Sequence, residues 1–278
     1  MPELTPERFA ALARSAPWRW DHLTFTVGWP GRAPSVRAWT SRRGALRVEA
    51  LDGHPLHVTP GPALPAPGRP SRAAGRWGRR PAARHRDGGG TSPVPGTTSA
   101  AGERGLHQPE LDEDGLVRRR PPLGWGALDA PMYQDYRWVA MLDPVELADG
   151  TDPETGDWAA ATSVRGLAVV EHHGRTAWEA VLTPTRYYDP RCSCCPLLFS
   201  AESERIETEA GAPPPDRGPG FRHAEAHRVR LDVVTGVCVL TEEIGGSDAG
   251  TRHDLRVEEV DVPPPDVLFR DRPGRRSR

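Results

Sequence analysis

The sharpest chemical possibility in this chain lies in its cysteines. Cys192, Cys194 and Cys195 fall in the run Cys-Ser-Cys-Cys, and Cys238 follows well downstream. Three thiolates so close could make up most of a tetrahedral zinc site, at about 2.3 Å per Zn–S bond, with Cys238 or a histidine as the fourth ligand. The spacing is not the paired C-x2-C of common zinc modules, and sequence neighbours such as Cys194 and Cys195 rarely bind one ion without strain. A redox pair, a structural disulfide or plain loop thiols fit the same residues. Cys238 reads equally as a small core hydrophobe in a strand. Asp189-Pro190, just ahead, sets the cluster in a turn.

Histidines and aromatics come next. His172-His173 sits at an expected hairpin turn, and His54 and His57 flank another, where exposed turn residues are the plainer reading. His223 and His227, four apart, would share a helical face. With Glu225 between them they make H-x-E-x-H, not the zincin H-E-x-x-H. Nine Trp stand beside five Phe. Packing accounts for such a load, but Trp20, Trp39 and Trp178 could also line an apolar hollow, with Tyr133, Tyr136, Trp138 and Met141 on a lid. Tyr187-Tyr188 would form its rim. No Walker loop, no G-x-G-x-x-G after a strand and no G-x-S-x-G is present. Asp112, Asp114, Asp149, Asp152 and Asp157 lack calcium-loop spacing. The expectation is a protein without catalytic residues and without a cofactor, zinc at the cysteines being the sole candidate.

The elements that would position these groups are mostly strands. Thr5 caps a short helix that opens with Pro6 and places Phe9, Leu12 and Ala13 on one face. Trp20–Val27 alternates, with Leu23, Phe25 and Val27 turned to the core. Ser35–Arg42, Ala45–Leu51 and Pro55–Thr59 follow as a meander, with turns at Gly28–Gly31, Arg43-Gly44 and Asp52-Gly53. Residues 61–103 carry seven Pro, nine Gly and seven Arg, and only Leu64, Trp77 and Val94 as large apolar groups. That composition reads as a disordered insertion. Order is expected again near Leu111, with helical spacing over Met132–Leu142 and an acidic turn at Asp149–Asp157. Strands are expected at Val164–His172 and Thr176–Leu182, then a loop over Thr183–Ala224. A hairpin turning at Thr235-Gly236 and a strand from Arg252 to Val262 close the pattern. Residues 271–278 form a basic tail.

Composition narrows the function classes. The formal net charge is −2 over 278 residues, so no global bias toward nucleic acid or acidic lipid exists. Every basic residue is Arg, Asn is absent, and Ile206 and Ile244 are the only isoleucines; depletion of AT-rich codons explains this without function. The N-terminus lacks a leader pattern, and no run approaches the roughly 18 apolar residues of a membrane span. A cytoplasmic setting with reduced thiols is therefore expected.

Four local pieces occur in a telling order: Leu46-Arg-Val-Glu-Ala-Leu-Asp-Gly53, the Val169–Leu182 hairpin, Leu231-Asp-Val-Val-Thr-Gly236, and Asp261-Val-Pro-Pro-Pro-Asp-Val-Leu-Phe269. Over roughly residues 19–59 and 111–269 this order resembles the bacterial lipoprotein-carrier superfamily, that of LolA and the N-domains of RseB and MucB. The resemblance implies an incomplete β-barrel lidded by helices, whose hollow takes lipid, lipoprotein or an apolar segment. It implies no catalytic residues. The chain departs from the family in its N-terminus, its Pro/Gly insertion and its cysteine loop.

The expected fold is thus mainly β (α+β): a curved antiparallel sheet, or incomplete β-barrel, covered by a few short helices. Residues 1–60 and 104–270 would form one discontinuous domain. The expected function is non-enzymatic binding or regulation, with a hydrophobic ligand or lipid and a protein partner. The alternative is a thiol- or zinc-responsive protein built on Cys192, Cys194, Cys195 and Cys238.

Overall fold

The structure, a computed structural model, describes residues 3–42, 44–61, 108–122, 126–213 and 217–270. The expected disordered insertion lies outside the described residues except for Gly61, and the basic tail lies wholly outside them. Met1–Pro62 and Pro109–Arg278 form one compact unit; of the second unit, Ala63–Gln108, only Gln108 is described.

Helix α1 runs over Pro6–Ser15, where the Thr5 hydroxyl accepts the Arg8 N–H at 3.3 Å. Glu7 in its first turn and Arg14 in its last complement the helix dipole. Four strands follow: β1 (His22–Trp29), β2 (Ala33–Ser41), β3 (Leu46–Ala50) and β4 (Pro55–Thr59). The small β5 (Glu110–Leu111) and β6 (Val117–Arg119) pair with each other, and α2 (Tyr136–Leu142) is capped by Asp135. A second small pair, β7 (Asp149–Thr151) and β8 (Trp158–Ala160), brackets the expected acidic turn. Then come β9 (Thr162–His172), β10 (Arg175–Pro184), α3 (Ala201–Glu209), β11 (Ala226–Asp232), β12 (Cys238–Ile244) and β13 (Arg252–Val260).

Nine strands form one sheet in the order β4-β3-β2-β1-β13-β12-β11-β10-β9, antiparallel throughout and not closed into a barrel. Two meanders, β1–β4 and β9–β13, meet at the pairing of β1 with β13. That pairing sets Phe25 beside Val257 and Val27 beside Leu255. Pleating puts alternate residues on one face, and Leu23, Phe25, Val36, Ala38, Val229 and Leu231 are buried there. Phe9 and Leu12 of α1 and Trp138, Met141 and Leu142 of α2 belong to the same core. The Phe25 and Trp138 rings sit 5.2 Å apart, tilted as aromatic quadrupoles prefer.

The other face is a polar ladder. Arg37 pairs with Glu258 at 2.6 Å, Arg230 with Glu179 at 2.7 Å and Arg228 with Glu242 at 2.5 Å. Part-exposed pairs of this kind contribute about 0–1 kcal/mol each, so their main effect is to keep that face wetted.

Two expectations need correction. The loop over Thr183–Ala224 contains α3, started by a reciprocal cap between Ser200 and Ser203. It has only one large apolar residue, Ile206, so no amphipathic period marks it in the sequence. His223 and His227 do not share a helical face. His227 is buried in β11, and His223 precedes that strand. Among the described residues no helix is long and apolar enough to cross a membrane.

Candidate functional site

A cleft of about 820 Å³ is bordered by α1, the β5–β6 hairpin, Leu147–Asp149, Trp158 and Ala160, and the start of β9. That volume is in the range of small-molecule sites, roughly 300–1,000 Å³. Local hydrogen bonds build its walls. Asp112 Oδ1 accepts the N–H groups of Asp114 and Leu116 at 3.0 and 2.8 Å, which closes the β5–β6 turn around Gly115. Gly115 takes φ +73°, a conformation that favours glycine. The Val117 N–H donates to Ser15 Oγ at 2.8 Å, and Arg120 donates twice to the Arg14 carbonyl at 3.1 and 2.8 Å. The hairpin is thereby fastened to the end of α1.

The floor of the cleft is apolar. Ala11, Leu147 and Ala148 are buried, and Ala10 and Val164 pack on the core from the cleft side. Trp158 stands open at 64% exposure. Its indole N–H donates to Asp149 Oδ1 at 3.0 Å, and the same oxygen accepts Arg14 Nε at 2.5 Å. The rim carries both signs, with Glu7, Glu110 and Asp112 beside Arg8, Arg118 and Arg119. Arg118 pairs with Glu110 at 3.2 Å in the open, and the exposed Arg119 has no ion-pair partner among the described residues.

Next to this cleft lies a buried charged node. Asp143 is fully buried and accepts Arg120 Nη1 at 3.0 Å and Arg191 Nη2 at 2.8 Å. Burial would raise its carboxyl, but Arg120, then Arg191 and Arg42, outweigh burial and hold it below the ordinary carboxylate value. Burial pushes Arg42 down to about 9, which leaves it cationic at neutral pH, with its guanidinium 3.6 Å from the Trp20 ring centroid. Glu146 is buried beside it and pushed up by that burial, against the hydrogen bonds it accepts. Those come from Tyr188 O–H at 2.7 Å, Leu197 N–H at 2.8 Å and Arg191 N–H at 3.1 Å. Tyr188 is pushed up by burial and by Glu146.

Glu146 thus grips both flanks of the cysteine turn. Arg137 adds a second clamp, donating to the carbonyls of Pro196 at 2.9 Å and Leu197 at 3.3 Å. Between the clamps the Cys195 N–H reaches the Cys192 carbonyl at 3.4 Å. The Sγ atoms of Cys192 and Cys194 are 2.8 Å apart, those of Cys194 and Cys195 are 3.8 Å apart, and all three lie within 4.8 Å. Burial, then Cys192, pushes the Cys195 thiol well up; the bond with Cys192, then burial, pushes Cys194 up. Cys238 is not in this group. It is fully buried in β12, its thiol donating to the Leu240 carbonyl at 3.5 Å, so the expectation of Cys238 as fourth ligand is corrected to a core residue.

None of the seven residues expected to line a hollow borders the 820 Å³ cleft. Trp20, Trp138 and Met141 are buried parts of the core. Tyr133 and Trp138 border a smaller cleft of about 170 Å³ with Trp29. Trp39 is half-buried under Arg37, Trp178 is half-buried near Arg8, and Tyr136 opens α2. The space expected to be hollow near α2 is filled by Trp138 and Met141 themselves, with the Trp138 ring 5.2 Å from that of Phe25.

His172 is buried and His173 exposed, not both exposed as a turn would make them. His173 Nε2 bonds Asp254 at 2.7 Å, and His172 Nε2 lies 3.0 Å from the Leu255 carbonyl. Arg230 sits 3.3 Å from His172 Nδ1, and since arginine only donates, that nitrogen accepts and the proton is on Nε2. With both ring nitrogens engaged, the His172–His173–Asp254 group is explained by hydrogen bonding, and its contacts with the two imidazoles hold Asp254 well below the usual range. Sequence reasoning missed the Asp143–Glu146 node, whose partners are scattered along the chain.

In comparisons with known proteins, no family model, no curated protein and no solved structure matches the chain.

Proposed function

We propose that this chain is a binding protein for an anionic amphiphile, with the ligand's apolar body on the floor of the 820 Å³ cleft and its head group at Arg118 and Arg119. The observation that supports the reading is the coincidence, in one cleft, of an apolar floor (Ala10, Ala11, Leu147, Val164) with a mixed-charge rim in which Arg119 has no ion-pair partner among the described residues and Arg118 has only the exposed Glu110. Each methylene fully removed from water contributes about 0.8 kcal/mol, so a partly covered chain of several carbons supplies most of the affinity. The exposed cations add steering and select against neutral ligands. Trp158, whose indole N–H donates to Asp149 and whose ring lies 5.5 Å from the Arg14 guanidinium, would cover part of an apolar chain in the cleft. This keeps the expected class of hydrophobic ligand and assigns it to other residues than the tryptophans first considered.

The test is titration with a long-chain carboxylate and the alcohol of equal length, read by tryptophan fluorescence and calorimetry. The carboxylate should bind in one saturable step and change Trp158 emission, and Trp158→Phe should remove that signal. Arg118→Glu with Arg119→Glu should weaken the carboxylate about tenfold or more, equivalent to about 1.4 kcal/mol, and affect the alcohol less. Binding that ignores these changes, or no saturable binding, refutes the reading.

A further inference from the structure

We propose that Cys192, Cys194 and Cys195 form a three-thiolate site for a thiophilic divalent cation, zinc above all, whose fourth position falls to a nearby carboxylate or to water. This goes beyond ligand binding in the cleft and stands on separate residues. Zinc with about 2.3 Å bonds in a tetrahedron places its sulfurs about 3.8 Å apart. Cys194 and Cys195 already stand at 3.8 Å, the edge such a tetrahedron needs. Cys192 and Cys194, at 2.8 Å, need to open by about 1 Å to reach that edge. Cys194 is exposed and Cys192 half-buried, so side-chain rotation supplies the movement.

The turn is preorganised for this. Glu146 accepts N–H groups on either side of it, from Arg191 and Leu197, and Arg137 holds the Pro196 and Leu197 carbonyls. The backbone that presents the three sulfurs is thus anchored to the core through groups that a metal would not disturb. The surrounding charge favours a cation. Asp135 acts on Cys195 and Glu207 on Cys194, and Glu207 is itself oriented by the Ser193 hydroxyl. Three thiolates beside two carboxylates repel one another unless a cation sits among them. Water, or one of these carboxylates after side-chain rotation, would complete four-coordination. A disulfide would use only two of the three sulfurs and would leave the third without a role.

The experiment uses the full chain, purified reduced and free of oxygen, with zinc or cobalt(II) alone as probe. One equivalent of zinc should resist a competing chromophoric chelator and raise the melting temperature. Cobalt should give a thiolate charge-transfer band and tetrahedral ligand-field bands. Cys192→Ser, Cys194→Ser and Cys195→Ser should each weaken binding at least 100-fold, and Cys238→Ala should bind as the parent does. Circular dichroism of each metal-free variant separates lost binding from lost folding. No chelator-resistant metal in the reduced parent overturns the proposal. So does retention in the triple serine variant, or a Cys192–Cys194 disulfide that forms despite zinc.

Discussion

Acid should destabilise this fold through two buried histidines. His253 on β13 is fully buried, with Nδ1 accepting the Thr241 hydroxyl at 2.8 Å and Nε2 donating to the Cys238 carbonyl at 3.0 Å. Burial first, then the Arg137 guanidinium, push it down to about 3. His227 on β11 is pushed down to about 4 by the same two causes in the same order. Both imidazoles are therefore neutral in the folded protein at pH 7. In the unfolded chain they titrate near 6.5, so as pH falls the unfolded state takes up protons first. The stabilisation is complete above about pH 6.5 and is lost progressively as pH falls toward 4 and 3. The slope is about 1.4 kcal/mol per pH unit for each group. From pH 7 to 5 that is about 2 kcal/mol per histidine and about 4 together, a large share of the 5–15 kcal/mol typical of a domain. Glu146 and Glu243, raised by burial, work in the opposite sense. A variant isolates the histidine effect. His253→Gln keeps one donor and one acceptor but cannot take a proton. Urea unfolding followed by tryptophan fluorescence at pH 7, 6 and 5 should show the parent losing about 2 kcal/mol more than the variant. Parallel pH curves, or an NMR titration of His253 near pH 6, would refute the argument.

Two further perturbations follow from the geometry. Asp143→Ala leaves the Arg120 and Arg191 guanidiniums facing a buried site without its carboxylate, and should cost about 3–5 kcal/mol in thermal or urea unfolding; a loss under about 1 kcal/mol would mean that the node is solvated. Gly150→Ala should cost about 3 kcal/mol or more, because the new Cβ would lie 1.9 Å from the Tyr187 carbonyl oxygen, which is backbone and cannot step aside. Gly31→Ala, at φ +79° but in open space, should cost only about 1 kcal/mol, and equal losses at the two glycines would contradict the steric account.

The sequence by itself determined the strand faces and most strand positions. Alternation at Leu23, Phe25 and Val27 and turns at Asp52-Gly53 and Thr235-Gly236 are local signals, and pleating converts them directly into a buried and a wetted face. The Thr5 cap was equally local. What only the tertiary structure decided is long-range. The pairing of β1 with β13 joins segments more than 200 residues apart, and no short pattern specifies which strand lies beside which. The filling of the inner face by Trp138 and Met141 depended on where α2 lies against the sheet, which composition does not reveal. The same holds for the cysteines. Their spacing argued against joint ligation, yet their presentation depends on Glu146, about fifty residues away, gripping the backbone on both sides of the turn. Local periodicity records which way a side chain faces. Which groups meet is settled by burial of a shared core and by the need of each desolvated charge for a partner.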